Sequence, residues 1–154
     1  MKARRSARRL ALEVLYEAEI RDALPVDVLD SHQSGEWVVP PVAGEGDADE
    51  TPGEQPGPDV TAYARTLVEG IQKNHAEIDG LIARYADRWT IERMPVVDRT
   101  ILRMAILELL WCEDVPTAVA INEAVELAKS LSTEDSGRFV NGLLGRLAES
   151  EPPR

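Results

Sequence analysis

The first nine residues, MKARRSARR, carry five positive charges and no acidic side chain. The basic residues are Lys2, Arg4, Arg5, Arg8 and Arg9. On a helix, two pairs of these arginines are spaced i,i+4 and repel each other, and all five charges lie at the positive end of the helix dipole. A bound polyanion would relieve both unfavourable effects, and arginine donates bidentate hydrogen bonds to phosphate. The segment therefore indicates a binding site for nucleic acid.

Two interpretations of this basic segment remain open. The alternative to nucleic-acid binding is a solubilising, frayed N-terminus in which Arg9 pairs with Glu13. If the segment binds nucleic acid, RNA is favoured over double-stranded DNA, because no helix-turn-helix pattern accompanies the arginines. Tyr16 lies two turns beyond Arg8 at a similar angular position and could stack an unpaired base. A tyrosine at the polar edge of a core shows the same pattern.

Residue types that support catalysis are scarce. The two histidines, His32 and His75, have no cysteine or carboxylate at ligand spacing that would complete a metal site. The sequence contains no Gly-rich phosphate loop and no serine elbow. The single cysteine, Cys112, lies in an apolar run and forms no disulfide framework. We therefore expect a protein that is not an enzyme and that has no cofactor or metal.

The net charge of −11 is distributed unevenly. Residues 22–64 hold ten acidic residues and no lysine or arginine, and the remainder of the chain has 17 basic residues against 18 acidic ones. The acidity is therefore local and does not exclude RNA binding. No apolar run reaches the roughly 18 residues that span a membrane, and acidic residues follow the basic N-terminus too soon for a signal peptide. We expect a cytoplasmic protein.

Apolar periodicity predicts an all-α fold of about seven helices in a single domain, residues 1–154. Apolar positions spaced three and four apart predict a first helix over 3–21, and PVDVLDSH predicts a short second one. Residues 38–57 are acidic and rich in proline and glycine, which predicts a disordered loop. From Asp59 onward we expect continuous helices, with a break near Asn74. Residues 96–115 are apolar almost all round, which predicts a central buried helix, and Pro95 can sit in its first turn.

The segment STEDSGRFVNG, residues 132–142, opens with residues that favour helix N-caps but ends on a glycine inside the apolar pattern. A glycine in a helix interior costs about 1 kcal/mol relative to alanine. We expect Gly142 to allow the close approach of a neighbouring helix and Asn141 to form a hydrogen bond at that junction. Whether this packing only serves the core or also positions Arg138 and Phe139 stays open.

Three segments resemble, in their order and spacing, the bacterial antitermination and ribosomal-RNA processing factor NusB. They are RRSARRLALEVLYEAE, DRTILRMAILELLWCEDVP and VAINEAVELAKSLSTEDSGRFVNGLLGRL. The resemblance covers roughly 120 of the 154 residues, and the acidic loop has no clear counterpart in the family. It implies an N-terminal three-helix unit, residues 1–75, packed on a C-terminal four-helix unit, residues 76–149.

The same resemblance implies a function and a set of site residues. Members of the family bind the small ribosomal protein NusE, and the pair binds the single-stranded boxA sequence of nascent ribosomal RNA. The RNA-contacting residues implied here are Lys2, Arg4, Arg5, Arg8, Tyr16, Asp135, Arg138 and Phe139. The implied NusE-facing residues are Tyr85, Glu92 and Asp98, with a one-residue insertion between the first two. The prediction is a non-catalytic adaptor that brings NusE and boxA RNA to the elongating RNA polymerase in antitermination.

Three alternatives remain open after the resemblance. The chain could be a helical protein-interaction module without RNA specificity. The acidic loop is either an inert insertion or an RNA mimic that folds back on the arginines. Some members of the family associate as homodimers, and composition does not decide between a monomer and a dimer.

Overall fold

A computed structural model describes residues 2–34, 56–87 and 89–154. The predicted disordered loop, 38–57, lies outside these residues except for its last two positions. The chain divides into two compact units, Met1–Gln72 and Lys73–Arg154. No β-strand occurs in the described ranges, and the predicted all-α class is confirmed.

The helices follow the predicted order. In the first unit they are α1 (Lys2–Arg21), α2 (Pro25–Ser34) and α3 (Pro58–Lys73). In the second unit they are α4 (His75–Tyr85), α5 (Val96–Trp111), α6 (Thr117–Leu131) and α7 (Glu134–Ser150), with a short 3-10 turn at Ile91–Arg93 before α5. The expected break near Asn74 separates α3 from α4. None of these described helices is both long enough and apolar enough to cross a bilayer.

Local sequence explains where the helices of the first unit begin and end. Helix α1 ends at Arg21, and Asp22 after it adopts a left-handed φ of 53°. Pro25 and Pro58 are the first residues of α2 and α3, where a proline loses no helical hydrogen bond because the first N–H groups have no partner within the helix. Leucines and isoleucines from all three helices are fully buried; among them are Leu10, Leu29, Leu67 and Ile71.

One polar contact joins α1 to α2 in this unit. The imidazole Nε2 of His32 lies 3.0 Å from the carboxylate of Glu17, which also accepts a 2.7 Å hydrogen bond from Arg21. The hydrogen bond with His32, with a further contribution from Arg21, lowers the pKa of Glu17. The outer side of α1 is thereby tied to the C-terminal turn of α2.

Helix α5 is the centre of the second unit. Eleven of its 16 residues are buried, which confirms the central helix expected from the sequence. Pro95 directly precedes α5 as its N-cap residue and does not occupy the first turn. The guanidinium of Arg103 donates to both carboxylate oxygens of Asp79 on α4, at 2.8 and 3.0 Å. Arg99 donates to the carbonyls of Ile91 and Met94, and so holds the 3-10 turn against α5.

The residues that follow α7 are fixed to the rest of the second unit through Arg154. Its backbone N–H donates to the carbonyl of Leu110 at 2.7 Å, and its Nε donates to Glu77 at 2.5 Å. The guanidinium carbon also lies 5.9 Å from the ring centroid of Trp111. The chain after α7 therefore packs on α4 and on the C-terminal end of α5.

Candidate nucleic-acid interface

The basic segment forms the first turns of α1. The helix begins at Lys2, and its first turn contains no acidic residue. Arg5 is exposed and Arg4 is half-buried, whereas the side chain of Lys2 lies outside the described part of the chain. The N–H groups of the first helical turn add their own positive potential to these cations. This end of the first unit therefore presents a positive surface that suits an anionic ligand.

Tyr63 on α3 organises the arginines on one side of α1. The guanidinium carbon of Arg4 lies 4.5 Å from the centroid of the Tyr63 ring, and that of Arg8 lies 6.0 Å from it. Both separations fall within the range of cation–π attraction. The ring thus offsets the repulsion that the i,i+4 spacing of these two arginines would otherwise cause.

Arg8, whose contact with RNA stays a prediction, differs from Arg4 and Arg5 in its exposure. Arg8 is only 4% exposed, so its guanidinium is not presented to a ligand in solution. Its burial follows from its place on α1, between the apolar positions Ala7 and Ala11 on the inner face and Tyr63. Arg8 therefore serves packing around the tyrosine, and Arg4 and Arg5 are the more exposed candidates for contact with RNA.

A groove lies beside the Arg4–Tyr63 pair. It has a volume of about 440 Å³ and is lined by residues from the first turns of α1 and the first half of α3. These residues are Ala3, Arg4, Asp59, Ala62, Tyr63 and Thr66. The two alanines leave room in front of the arginine and the tyrosine, while Asp59 and Thr66 contribute oxygen atoms.

Tyr16 lies further along the outer side of α1. It is 42% exposed, and Ile20, one turn later, is 60% exposed. A tyrosine buried at the edge of a core would be covered by neighbours, so this degree of exposure leaves its ring accessible. The structure is consistent with the predicted stacking role of Tyr16 but does not test it.

The second group of predicted RNA residues begins α7 in the other unit. Thr133 is the N-cap, and its hydroxyl accepts a 3.0 Å hydrogen bond from the backbone N–H of Ser136. Asp135 and Arg138 are exposed and form an ion pair one turn apart, and this hydrogen bond raises the pKa of Arg138. Both charged groups are accessible to a ligand, although a phosphate would have to compete with Asp135 for Arg138.

Phe139 is held by an aromatic neighbour that the sequence did not single out. Its ring centroid lies 4.9 Å from that of Trp89, with an interplanar angle of 75°. This edge-to-face geometry is favourable for aromatic pairs. Phe139 is half-buried, so part of its surface packs within the second unit and part remains available.

The expectation for Gly142 is wrong. A Cβ added at Gly142 would meet only the guanidinium of Arg146, 3.4 Å away on the same helix, and Asn141 is exposed. The close approach between helices occurs at Gly137 instead, where an added Cβ would lie 2.9 Å from Cγ of Lys129 on α6. The glycine that α7 needs for packing is therefore the one in its first turn.

The predicted NusE-facing residues have three different environments. Glu92 is exposed in the 3-10 turn. Tyr85 is half-buried, and its hydroxyl donates a 2.6 Å hydrogen bond to Glu151. Asp98 is fully buried, and its Oδ2 accepts a 2.8 Å hydrogen bond from Ser136. This carboxylate joins α5 to α7, and its contact with NusE stays a prediction.

The comparisons with known proteins identify the family. The NusB family model matches residues 5–149. The chain belongs to the NusB family. It is 47% identical over 149 residues to the transcription antitermination protein NusB of Salinispora arenicola (strain CNS-205), an alignment that covers 97% of each chain. It is 45% identical over 152 residues to the protein of the same name from Streptomyces avermitilis, across 99% of this chain and 95% of that one.

Solved NusB structures share the fold. The structure of T. maritima NusB matches with a TM-score of 0.78 and 35% identity, over 97% of this chain and 93% of that one. A chain from the crystal structure of the antitermination factors NusB and NusE in complex with dsRNA matches with a TM-score of 0.72 over 98% and 99% of the two chains. At 24% identity this second match shows the NusB fold alone.

The described residues offer little that could support metal chemistry. Within them, no three side chains of histidine, cysteine, aspartate or glutamate are grouped closely enough to hold a metal ion. The polar clusters that do occur pair arginines with carboxylates, as in the bidentate contact of Arg103 with Asp79.

Proposed function

We propose that this chain is a non-catalytic transcription antitermination factor that binds RNA through the arginine-rich end of α1. The observation that carries the proposal is the placement of Arg4 and Arg5. Both lie at a helix N-terminus that lacks acidic residues, and Arg4 packs on Tyr63 beside an open groove. A phosphate backbone would add favourable contacts to this cluster of positive charge.

The family relationship supports the same function and suggests a partner. The relatives at 45–47% identity are transcription antitermination proteins. A structural neighbour was solved together with NusE and double-stranded RNA. We propose that this chain also binds NusE, and that the pair binds single-stranded boxA RNA of ribosomal-RNA operons and acts on the elongating RNA polymerase. Glu92 is the exposed residue to which we assign the NusE contact.

In the proposed complex, charged side chains bind the phosphates and aromatic side chains stack on the bases. Arg5 would bind phosphate and provide affinity that weakens with salt. Tyr16, 42% exposed, would stack an unpaired base, which an A-form duplex does not offer. In the second unit, Arg138 and the accessible part of Phe139 would contact a further stretch of the strand. Phosphate contacts position the RNA, while the aromatic contacts provide the sequence preference.

The decisive experiment is fluorescence anisotropy of a labelled single-stranded boxA RNA with the full chain, with and without NusE. A scrambled strand and a boxA duplex serve as the competing ligands. We expect the tightest binding for the single strand in the presence of NusE. The double variant Arg4→Ala/Arg5→Ala should bind more weakly and show a smaller salt slope, by about 0.7 for each phosphate that the variant no longer neutralises.

The matched control removes two positive charges elsewhere. Lys73 and Arg93 are both exposed, so Lys73→Ala/Arg93→Ala changes the net charge equally and should leave the salt slope unchanged. An equal reduction of affinity in both variants would indicate only long-range attraction. Binding that ignores the RNA sequence, the arginines and NusE would favour the alternative of a helical protein-interaction module.

A further inference from the structure

We propose that the groove beside Tyr63 is a binding site for one unpaired guanine base of the RNA strand. This proposal rests on the proposed RNA-binding function and adds a base preference to it. We call the site the Tyr63 groove; it comprises Ala3, Arg4, Asp59, Ala62, Tyr63 and Thr66. Its volume of about 440 Å³ falls within the range of sites that hold small organic ligands.

The walls of the Tyr63 groove favour a flat, aromatic ligand. The guanidinium of Arg4 lies over the Tyr63 ring at 4.5 Å, so the two groups form a stack. Unpaired bases stack on aromatic rings and on arginine planes, and this stacking accepts any base. Ala3 and Ala62 carry the smallest side chains available in a helix and leave space for a base against the stack. Stacking alone therefore explains why a base binds but not which one.

The oxygen atoms of the Tyr63 groove select among the bases. The carboxylate of Asp59 only accepts hydrogen bonds. The hydroxyl of Thr66 donates to the carbonyl of Ala62 at 3.1 Å, so the capacity that it has left is also for accepting. A base that binds here must therefore bring N–H donors. Guanine presents two adjacent donors, N1–H and the N2 amine, and one carboxylate can accept both. The other bases present no such pair on their Watson–Crick edge.

Charge argues against two other occupants of the groove. A phosphate group would approach Arg4 but would be repelled by Asp59, which is exposed at the same groove. A lysine or arginine from a protein partner would be attracted by Asp59 but repelled by Arg4, whose charge already covers Tyr63. A neutral base with a donor edge satisfies both the aspartate and the arginine. We therefore assign phosphate binding to Arg5 and base binding to the Tyr63 groove.

The test compares guanine with inosine in the RNA, because inosine lacks only the N2 amine. Each guanine of a labelled single-stranded boxA RNA is replaced by inosine in turn, and binding to the full chain is measured by anisotropy with NusE present. At one position we expect the replacement to weaken binding about tenfold, the usual effect of losing a hydrogen bond to a charged group. Asp59→Asn should reduce that discrimination to less than about threefold, since a neutral amide accepts more weakly.

The chain offers a closely matched control. Asp27 is exposed in the first turn of α2, a helix that also opens with proline, so Asp27→Asn makes the same change in the same turn of another helix. This variant should keep the full preference for guanine. Thermal unfolding of both variants checks that neither has lost the fold.

The outcomes separate the two proposals. If RNA binding responds to salt and to Arg4→Ala/Arg5→Ala but no guanine position discriminates, the Tyr63 groove is not a guanine site and the proposed function stands. The same conclusion follows if Asp59→Asn discriminates as well as the unchanged chain does. Absence of any RNA binding would overturn both proposals.

Discussion

The hydroxyl of Ser136 donates a 2.8 Å hydrogen bond to the carboxylate of Asp98, which is fully buried. The two residues lie in the first turns of α7 and α5, and Ser136 also bonds to the side chains of Ser132 and Thr133. One buried contact therefore fixes the start of α7 to the central helix. Asp135, Arg138 and Phe139 surround Ser136 in the sequence, so their positions depend on this contact.

Removing either partner should lower the free energy of unfolding. We expect Ser136→Ala to cost about 1–3 kcal/mol, because it leaves a buried carboxylate without its partner. The other oxygen, Oδ1 of Asp98, already has no hydrogen-bond partner among the described residues, so the loss cannot be shared. Urea unfolding of Ser136→Ala, with exposed Ser130→Ala as the control, measures the difference. Equal stabilities of the two variants would contradict the assigned role of Asp98.

Replacing Gly137 and Gly142 of α7 by alanine should change the free energy of unfolding differently. Gly142→Ala should stabilise the protein by about 0.5–1 kcal/mol, since alanine is the better helix former. Among the described residues, an added Cβ at that position would meet only Nη1 of Arg146, at a van der Waals distance of 3.4 Å. Gly137→Ala should gain less or destabilise, because its Cβ would press on Cγ of Lys129. Thermal unfolding of both variants decides the matter, and a greater gain at Gly137 would refute this packing.

Replacing Arg5 should mainly weaken RNA binding, whereas replacing Arg8 should mainly lower the stability of the fold. Arg5→Ala should reduce the salt slope of RNA binding by about 0.7 and have little effect on stability, because Arg5 is exposed. Arg8→Ala should lower the free energy of unfolding, because Arg8 is buried beside Tyr63. Anisotropy titrations should show the larger loss of salt dependence for Arg5→Ala, and urea unfolding should show the larger loss of stability for Arg8→Ala. Identical behaviour of the variants would show that burial does not separate their roles.

The ion pairs of Glu151 should make stability depend on pH. The hydrogen bond from Tyr85, with further contributions from Arg154 and Arg84, holds the pKa of Glu151 below its ordinary value of 4.5. Because the pKa is lower in the folded state, this stabilisation is present above the unfolded pKa and is lost as the pH falls through the folded one. Glu151→Gln should therefore destabilise the protein at neutral pH, and this effect should shrink as the pH falls below 4.5.

Urea unfolding across this pH range measures the effect of Glu151→Gln. Glu149→Gln is the control, because Glu149 is an exposed carboxylate in the last turn of α7, two residues before Glu151. A difference between the two variants that stays constant with pH would show that Glu151 acts through packing and not through its charge.

Helical periodicity was sufficient to predict the fold because α5, α6 and α7 each repeat apolar residues at helical spacing. The N-cap at Thr133 could also be predicted from the sequence, because threonine is a preferred N-cap residue. Periodicity places Arg8 beside the apolar positions Ala7 and Ala11, but its burial also depends on Tyr63, whose position after folding the spacing does not predict. Periodicity also could not place Asp98, whose partner is 38 residues away in the sequence.

Tyr63 and Trp89 were missed for a related reason. Each is an isolated aromatic residue with no distinctive spacing, and each acquires its role from residues distant in the sequence. Tyr63 contacts Arg4 and Arg8, and Trp89 contacts Phe139. Gly142 was favoured over Gly137 because it interrupts an apolar run. The tight contact instead depends on which turn of α7 faces Lys129.

The edge-to-face pair of Trp89 and Phe139 provides a spectroscopic signal that reports on the packing of the second unit. Indole emission and near-ultraviolet circular dichroism respond to the packing of the neighbouring ring, and Phe139 is the chain's one phenylalanine. An event that shifts Phe139 in α7 would change the contribution of Trp89, one of the chain's three tryptophans, without an attached dye. A ligand that leaves the contribution of Trp89 unchanged would have bound without moving Phe139 relative to the indole ring.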